Sequence, residues 1–258
     1  MSPTAQALAR TYSDREYPDP WEKVLDYRRV QEYAAENPKH GRTRVGNVLD
    51  LPPSRVRGWL NDGIPDPVRG IQTAIDHGWL DPEPDSETAT GLAELLAHIL
   101  AGGSITAATF APAVTVARRV GLDMIREAFE CVGVKTSVRH GDADGRATEV
   151  VPTSDASVLG RCLVTMGAPA GKKVGHDNFP EVVWDFPSNN RLSFARIYVA
   201  HRAAEFRLKR TMVIQEDRSK AYLRELKELL TEVTGETVSL GDCTITISAD
   251  AVRALGID

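Results

Sequence analysis

Cysteine is scarce: Cys131, Cys162 and Cys243 lie far apart, with no CxxC pair and no Cys/His ligand spacing. That excludes a disulfide framework and a structural zinc site, and it fits a reduced, cytoplasmic setting. Long apolar runs are missing too. The stretch around Leu92 to Ala101 is too short and interrupted to span a bilayer, and Met1 to Pro20 has no apolar export segment. No membrane partner is expected. Positive charge is also in deficit: 31 Lys and Arg against 36 Asp and Glu give a formal net charge of -5, which excludes a protein that coats nucleic acid through bulk charge. Any nucleic-acid contact must come from a local patch. Finally, no Ser/His/Asp arrangement stands out. Gly167 to Lys173 only superficially resembles a phosphate loop, with three residues between its glycines and lysine where Ser or Thr should follow. No nucleotide or other cofactor is expected.

What is present is an ordinary globular composition, 42% hydrophobic and 26% charged over 258 residues, enough for one large or two small domains. Asp81 to Thr88 is acidic, holds two prolines and lacks periodicity, so it reads as a linker. The expected organisation is an N-terminal arm (1–20), a small all-α domain (21–80), the linker (81–88) and a larger domain (89–258). In the small domain, helices are expected over Val24 to Glu36, Arg42 to Leu49 and Ser54 to Asn61, with Asp66 and Pro67 capping and opening a fourth.

The stretch Val45 to Leu60 resembles a helix-turn-helix unit, with Val45, Val48, Leu51, Val56, Trp59 and Leu60 as its core. Between His40 and Asn61 there are four arginines and one acid, Asp50, which supplies the local patch that the whole chain lacks. Arg42, Arg44, Ser54, Arg55, Arg57 and Asn61 are the candidate DNA-binding residues here. An arginine fork pairs with guanine or clamps phosphate, and asparagine reads adenine. Arg55→Ala and Arg57→Ala are each expected to weaken binding, by about 1–3 kcal/mol per lost base contact.

The larger domain has an internal repeat. Gly91 to Ala101 (helix), Ser104 to Val116 (extended) and Ala117 to Val132 (amphipathic helix) recur about 100 residues on as Leu192 to Arg202, Arg207 to Ile214 and Ser219 to Val233. Each half then runs into a strand pair and another helix start. The expected architecture is α+β: a pseudo-twofold, duplicated α-β-β-α-β-α domain with halves 89–175 and 190–258.

Leu95 to Ile105 resembles the defining helix of LAGLIDADG homing endonucleases, and the likeness extends over most of Ala89 to Asp258. In that family each paired helix ends in an acid that holds divalent metal for DNA cleavage. Here the first helix offers Gly102 and the second His201 or Arg202, so the resemblance implies the scaffold without a catalytic or metal-binding residue. Glu94 lies about two turns back from Gly102 and Glu205 beyond the second helix end. Small residues such as Ala97, Ala101, Gly103, Ala200 and Ala203 suit close helix packing, and His98 and His201 suit an interface. Lys172 and Lys173 are candidate DNA-backbone contacts, and Lys135, Arg139 and Arg146 could face DNA across a saddle-shaped surface, diluted by Asp142, Asp144 and Glu149. The chain is thus similar to helix-turn-helix/LAGLIDADG transcription regulators, including bacterial sporulation regulators in which the two parts stand in the opposite order. It is expected to be a sequence-specific binder of double-stranded DNA and not an enzyme. Two alternatives stand beside this: an active homing endonuclease using other acids, and an interaction module whose saddle binds another protein, with DNA contacted only by the helix-turn-helix.

Overall fold

Residues 2–141, 145–173, 177–205 and 210–257 are described by the computed structural model, whose contacts divide into two units, Thr4–Asp76 and Met1–Pro3 with His77–Asp258. Asp142, Asp144 and the start of the strand expected at Arg207 lie outside the described residues.

The smaller unit is a set of five helices. Helix α1 (Ala5–Arg10) is capped by Thr4, whose hydroxyl accepts from the Ala7 N–H at 3.1 Å. It buries Leu8 and Ala9 completely, so the segment expected to be an arm is part of the packed unit. Helix α2 (Pro20–Glu36) opens with Asp19 as cap and proline in the first turn, where a missing N–H costs nothing; it ends before Asn37-Pro38. Helices α3 (Arg42–Leu49) and α4 (Pro53–Leu60) follow. Between them Asp50 takes a left-handed conformation (φ 56°), and the Leu51 N–H returns to the Gly46 carbonyl at 2.9 Å. Helix α5 (Asp66–Asp76) includes Asp66 as its first residue rather than as the preceding cap.

Tyr17, Val30, Val45, Val56 and Trp59 form the centre of this unit, with Tyr27, Tyr33, Leu49, Leu51 and Leu60 packed around them. One expected core residue is misplaced: Val48 is 56% exposed. At about 100° per residue, Val45, Gly46 and Leu49 share one side of α3, while Val48 falls beside Arg44, four residues earlier, on the outer side.

In the larger unit, α6 (Glu87–Gly102) is capped by Ser86, which accepts from the Ala89 N–H at 3.1 Å. Its apolar residues point in every direction and nearly all are buried, the pattern of a helix enclosed by protein. The chain continues without a break into β1 (Gly103–Ile105), then β2 (Pro112–Thr115), α7 (Leu122–Cys131), β3 (Thr136–Arg139), β4 (Glu149–Pro152) and α8 (Ala156–Thr165). After the short α9 (Val182–Asp185) come α10 (Ser188–Arg202), β5 (Ala203–Glu205), β6 (Met212–Gln215), α11 (Lys220–Thr234), β7 (Val238–Leu240), β8 (Thr244–Ile247) and α12 (Ala249–Ala254). Both sheets are antiparallel, ordered β1-β2-β4-β3 and β5-β6-β8-β7. The same order therefore occurs twice, as α-β-β-α-β-β-α. The strand pair expected after α7 is present as β3 and β4, so the formula α-β-β-α-β-α is one strand short.

Strand register fixes the correspondence between the halves. Gly103 faces Val114 and Ala203 faces Ile214, a constant offset of 100 residues. Gly102 thus corresponds to Arg202, and His201 to Ala101. Helices α6 and α10 pack along each other: Thr90 Oγ1–H donates to Asn190 Oδ1 at 3.0 Å near their starts, and His98 meets His201 near their ends. The two helices run in the same direction.

The division between units falls at Asp76/His77, upstream of the expected linker. Trp79 is completely buried in the larger unit, where its indole N–H donates to the Val132 carbonyl at 2.9 Å and its ring stacks on His77. Residues 81–88 lead directly into the first turn of α6.

Candidate functional site

On α4 the inward positions are Val56 and Trp59. Trp59 meets Tyr27 edge-on at 5.8 Å between ring centroids, and its carbonyl accepts from Gln31 Nε2 at 2.9 Å. This pins α4 to α2 and leaves Ser54, Arg57, Gly58 and Asn61 exposed, at the spacing of one outer stripe. Arg42 and Arg44 are exposed on α3.

Arg55 does not join them. Its guanidinium donates to Tyr17 Oη at 2.8 Å and Glu16 Oε2 at 2.7 Å, and lies 4.6 Å from the Tyr17 ring centre. The Tyr17 hydroxyl in turn donates to Asp26 Oδ2 at 2.9 Å. Burial and the Asp26 carboxylate push the Tyr17 phenol up to about 12. Arg55 therefore braces α4 against the segment before α2.

Lys172 and Lys173 belong to the larger unit, apart from the other six candidates. Lys172 is exposed, as are Lys135, Arg139 and Arg146. Lys173 is half-buried at the helix ends, donating from Nζ to the Leu100 carbonyl at 3.1 Å. Burial, then Arg218 and Arg202, hold its ammonium down at about 8.

Around it lies a cluster that sequence patterns did not reveal. Glu216, 4% exposed, accepts from Tyr198 Oη at 2.7 Å and from Arg202 Nε, with Arg218 Nε 3.8 Å away. The Arg218 guanidinium also donates to the Lys173 carbonyl at 3.3 Å. Glu216 and Arg218 sit in a short polar run ahead of α11, where neither periodicity nor a motif distinguishes them from surface charges.

The acids closest to the helix ends in sequence are engaged elsewhere. Glu205 is bonded by Arg118 and Arg119, which hold its carboxyl below the usual range. Burial raises Glu94. Among the described residues, no three of His, Cys, Asp and Glu converge as a metal site.

His98 Nδ1 and His201 Nε2 are 2.8 Å apart and share one proton. His98 is completely buried and its Nε2 has no partner among the described residues, so placing the proton on Nδ1 leaves a lone pair unsatisfied rather than an N–H. Burial and then His201 hold His98 at about 3; burial, Lys173 and Arg202 hold His201 at about 4. Both rings are neutral at pH 7. A Cβ on Gly102 would lie 2.0 Å from His201 Nδ1. The second helix thus fills the space that a side chain at the end of the first would require.

Together these features define a mixed α+β protein in which two packed helices each feed a four-stranded antiparallel sheet, joined to a small helical unit with an exposed basic face. No protein-family model matches the chain, and no curated protein matches it. Among solved structures it is similar to full-length DUF199/WhiA from Thermatoga maritima, with 12% identity and a TM-score of 0.45 over 69% of this chain. The chain spans 58% of that protein's length. It is also similar to I-DmoI, solved in complex with DNA and Mn, with 14% identity and a TM-score of 0.42 over 65% of this chain and 96% of that one. Among the described residues no helix is long and apolar enough to cross a membrane.

Proposed function

We propose that this chain is a sequence-specific binder of double-stranded DNA that acts in transcription regulation. In this reading α3 and α4 are a helix-turn-helix, and the larger unit is a LAGLIDADG-like duplication that does not cleave. The observation that carries it is the outer stripe of α4, Ser54, Arg57 and Asn61, held outward by a fixed core and flanked by Arg42 and Arg44. Arg57 and Asn61 can read guanine and adenine edges, and Val48, exposed beside Arg44, can meet a thymine methyl. Gly102 and Arg202 stand at the two corresponding helix ends, where metal-dependent cleavage needs carboxylates.

A second reading concerns the larger unit's sheets. Opposite the buried Met212, Ile214, Ile245 and Ile247, the β5-β6-β8-β7 sheet presents Ala204, Val213, Thr246 and Ser239. Those four residues offer no charge to a phosphate backbone, which favours a protein partner on that face and leaves DNA to the smaller unit.

Selection of bound duplexes from a random pool by the full chain tests the proposal. A defined site is expected, with Arg57→Ala relaxing the preference at one or two base pairs, and plasmid held with magnesium should stay intact. Metal-dependent cuts abolished by substituting an acid, or no enriched sequence, would overturn it.

A further inference from the structure

Helices α2 and α5 of the smaller unit leave an open groove of about 280 Å³ between them. Its floor is apolar, with Val24 and Ile71 buried and Tyr27 half-buried. On one lip α5 presents Val68 and Ile75, two turns apart on one stripe, and Ile75 is 53% exposed. On the other lip α2 presents Arg28 and Glu32, one turn apart, and Leu25, 41% exposed, precedes Arg28 by a turn. The amides between the lips are engaged: Gln31 Nε2 donates to the Trp59 carbonyl at 2.9 Å, and Gln72 Nε2 to Asp76 Oδ1 at 2.8 Å. Arg28 lies 5.3 Å from the Trp21 ring centre, and Glu32 has no ion-pair partner among the described residues.

We propose that a second copy of this chain occupies the groove about a twofold axis, with the two α2 helices antiparallel. Self-complementarity selects this occupant. An exposed ridge beside an apolar trench fits its own copy ridge into trench, so that Ile75 of each copy leaves water in the groove of the other. The antiparallel arrangement also sets Arg28 of each copy against Glu32 of the other, which makes two ion pairs from side chains that form none with each other within one chain. One cation and one acid leave the lips without net charge, which disfavours a phosphate backbone or a strongly charged protein as the occupant. The pairing stands on the smaller unit's own geometry and does not require the DNA reading.

Sedimentation velocity of the full chain without DNA, over about 1–100 μM, is the direct test. A reversible monomer–dimer equilibrium is expected. Ile75→Glu should weaken it by at least about tenfold, and so should Arg28→Glu or Glu32→Arg alone, each of which sets like charges opposite one another. Joining Arg28→Glu and Glu32→Arg in one chain should restore the dimer, and mixing the two single variants should give a mixed dimer. Loss of a merely structural contact would show no such rescue. Circular dichroism identifies the variants that keep their fold. A chain that stays monomeric throughout the range would overturn the pairing, whatever else the groove accepts. A dimer indifferent to Ile75→Glu, or charge variants that are not rescued by their complement, would overturn it as well. Because no duplex is present, failure here leaves the DNA proposal standing, and a chain that selects no duplex leaves the dimer standing.

Discussion

Gly102 and His201 are best understood as a pair. Gly102 at the end of the first helix was legible in the sequence, because the helical pattern runs up to it. That the His201 ring fills the space beside it was not, because the register of the second helix is ambiguous by one residue until strand pairing sets the offset. The contact has an energetic consequence. Gly102→Ala should destabilise the larger unit by about 1–3 kcal/mol in urea unfolding, since its Cβ would lie 2.0 Å from the His201 ring. In a His201→Ala background the same change should cost little; equal costs in both backgrounds would remove the coupling. Gly102→Asp carries the same Cβ and should meet the His201 ring in the same way.

Among the elements, helix α3 has the bounds that periodicity and its flanking residues gave, and the helix-strand-helix rhythm of the larger unit was visible as a repeat. Segments that fold back on themselves were harder. Ser104 to Val116 reads as one extended stretch, yet β1 and β2 are separate strands joined by a turn. Ala117 to Val120 is a bridge, not the first turn of a helix. Short apolar runs do not announce where a hairpin reverses. The same limit applies to side chains on α4: helical spacing placed Arg55 beside the outer stripe, but only the fold brings Tyr17 and Glu16 to it. Arg55→Ala should therefore lower the stability of the smaller unit by about 1–2 kcal/mol, read from its unfolding midpoint, whereas Arg57→Ala should leave stability within about 0.5 kcal/mol. A larger loss in Arg57→Ala than in Arg55→Ala would reverse these roles.

Considered as a whole, the molecule divides into two units whose boundary the sequence placed a few residues late. Proline and acid in 81–88 look like a linker, but Trp79 already belongs to the larger unit's core, a contact with Val132 that no local pattern encodes. With a net charge of -5, the proposed binding to DNA rests on a few placed cations, and Arg42, Arg44 and Arg57 form the exposed set on α3 and α4. The most direct test of that claim is the salt dependence of duplex affinity for the full chain, compared with the Arg42→Gln/Arg44→Gln/Arg57→Gln variant in EDTA. If these arginines make the phosphate and base contacts, the variant should bind more weakly and its log–log salt slope should shrink by about 2–3. Unchanged affinity and slope would contradict the assignment of DNA binding to this face.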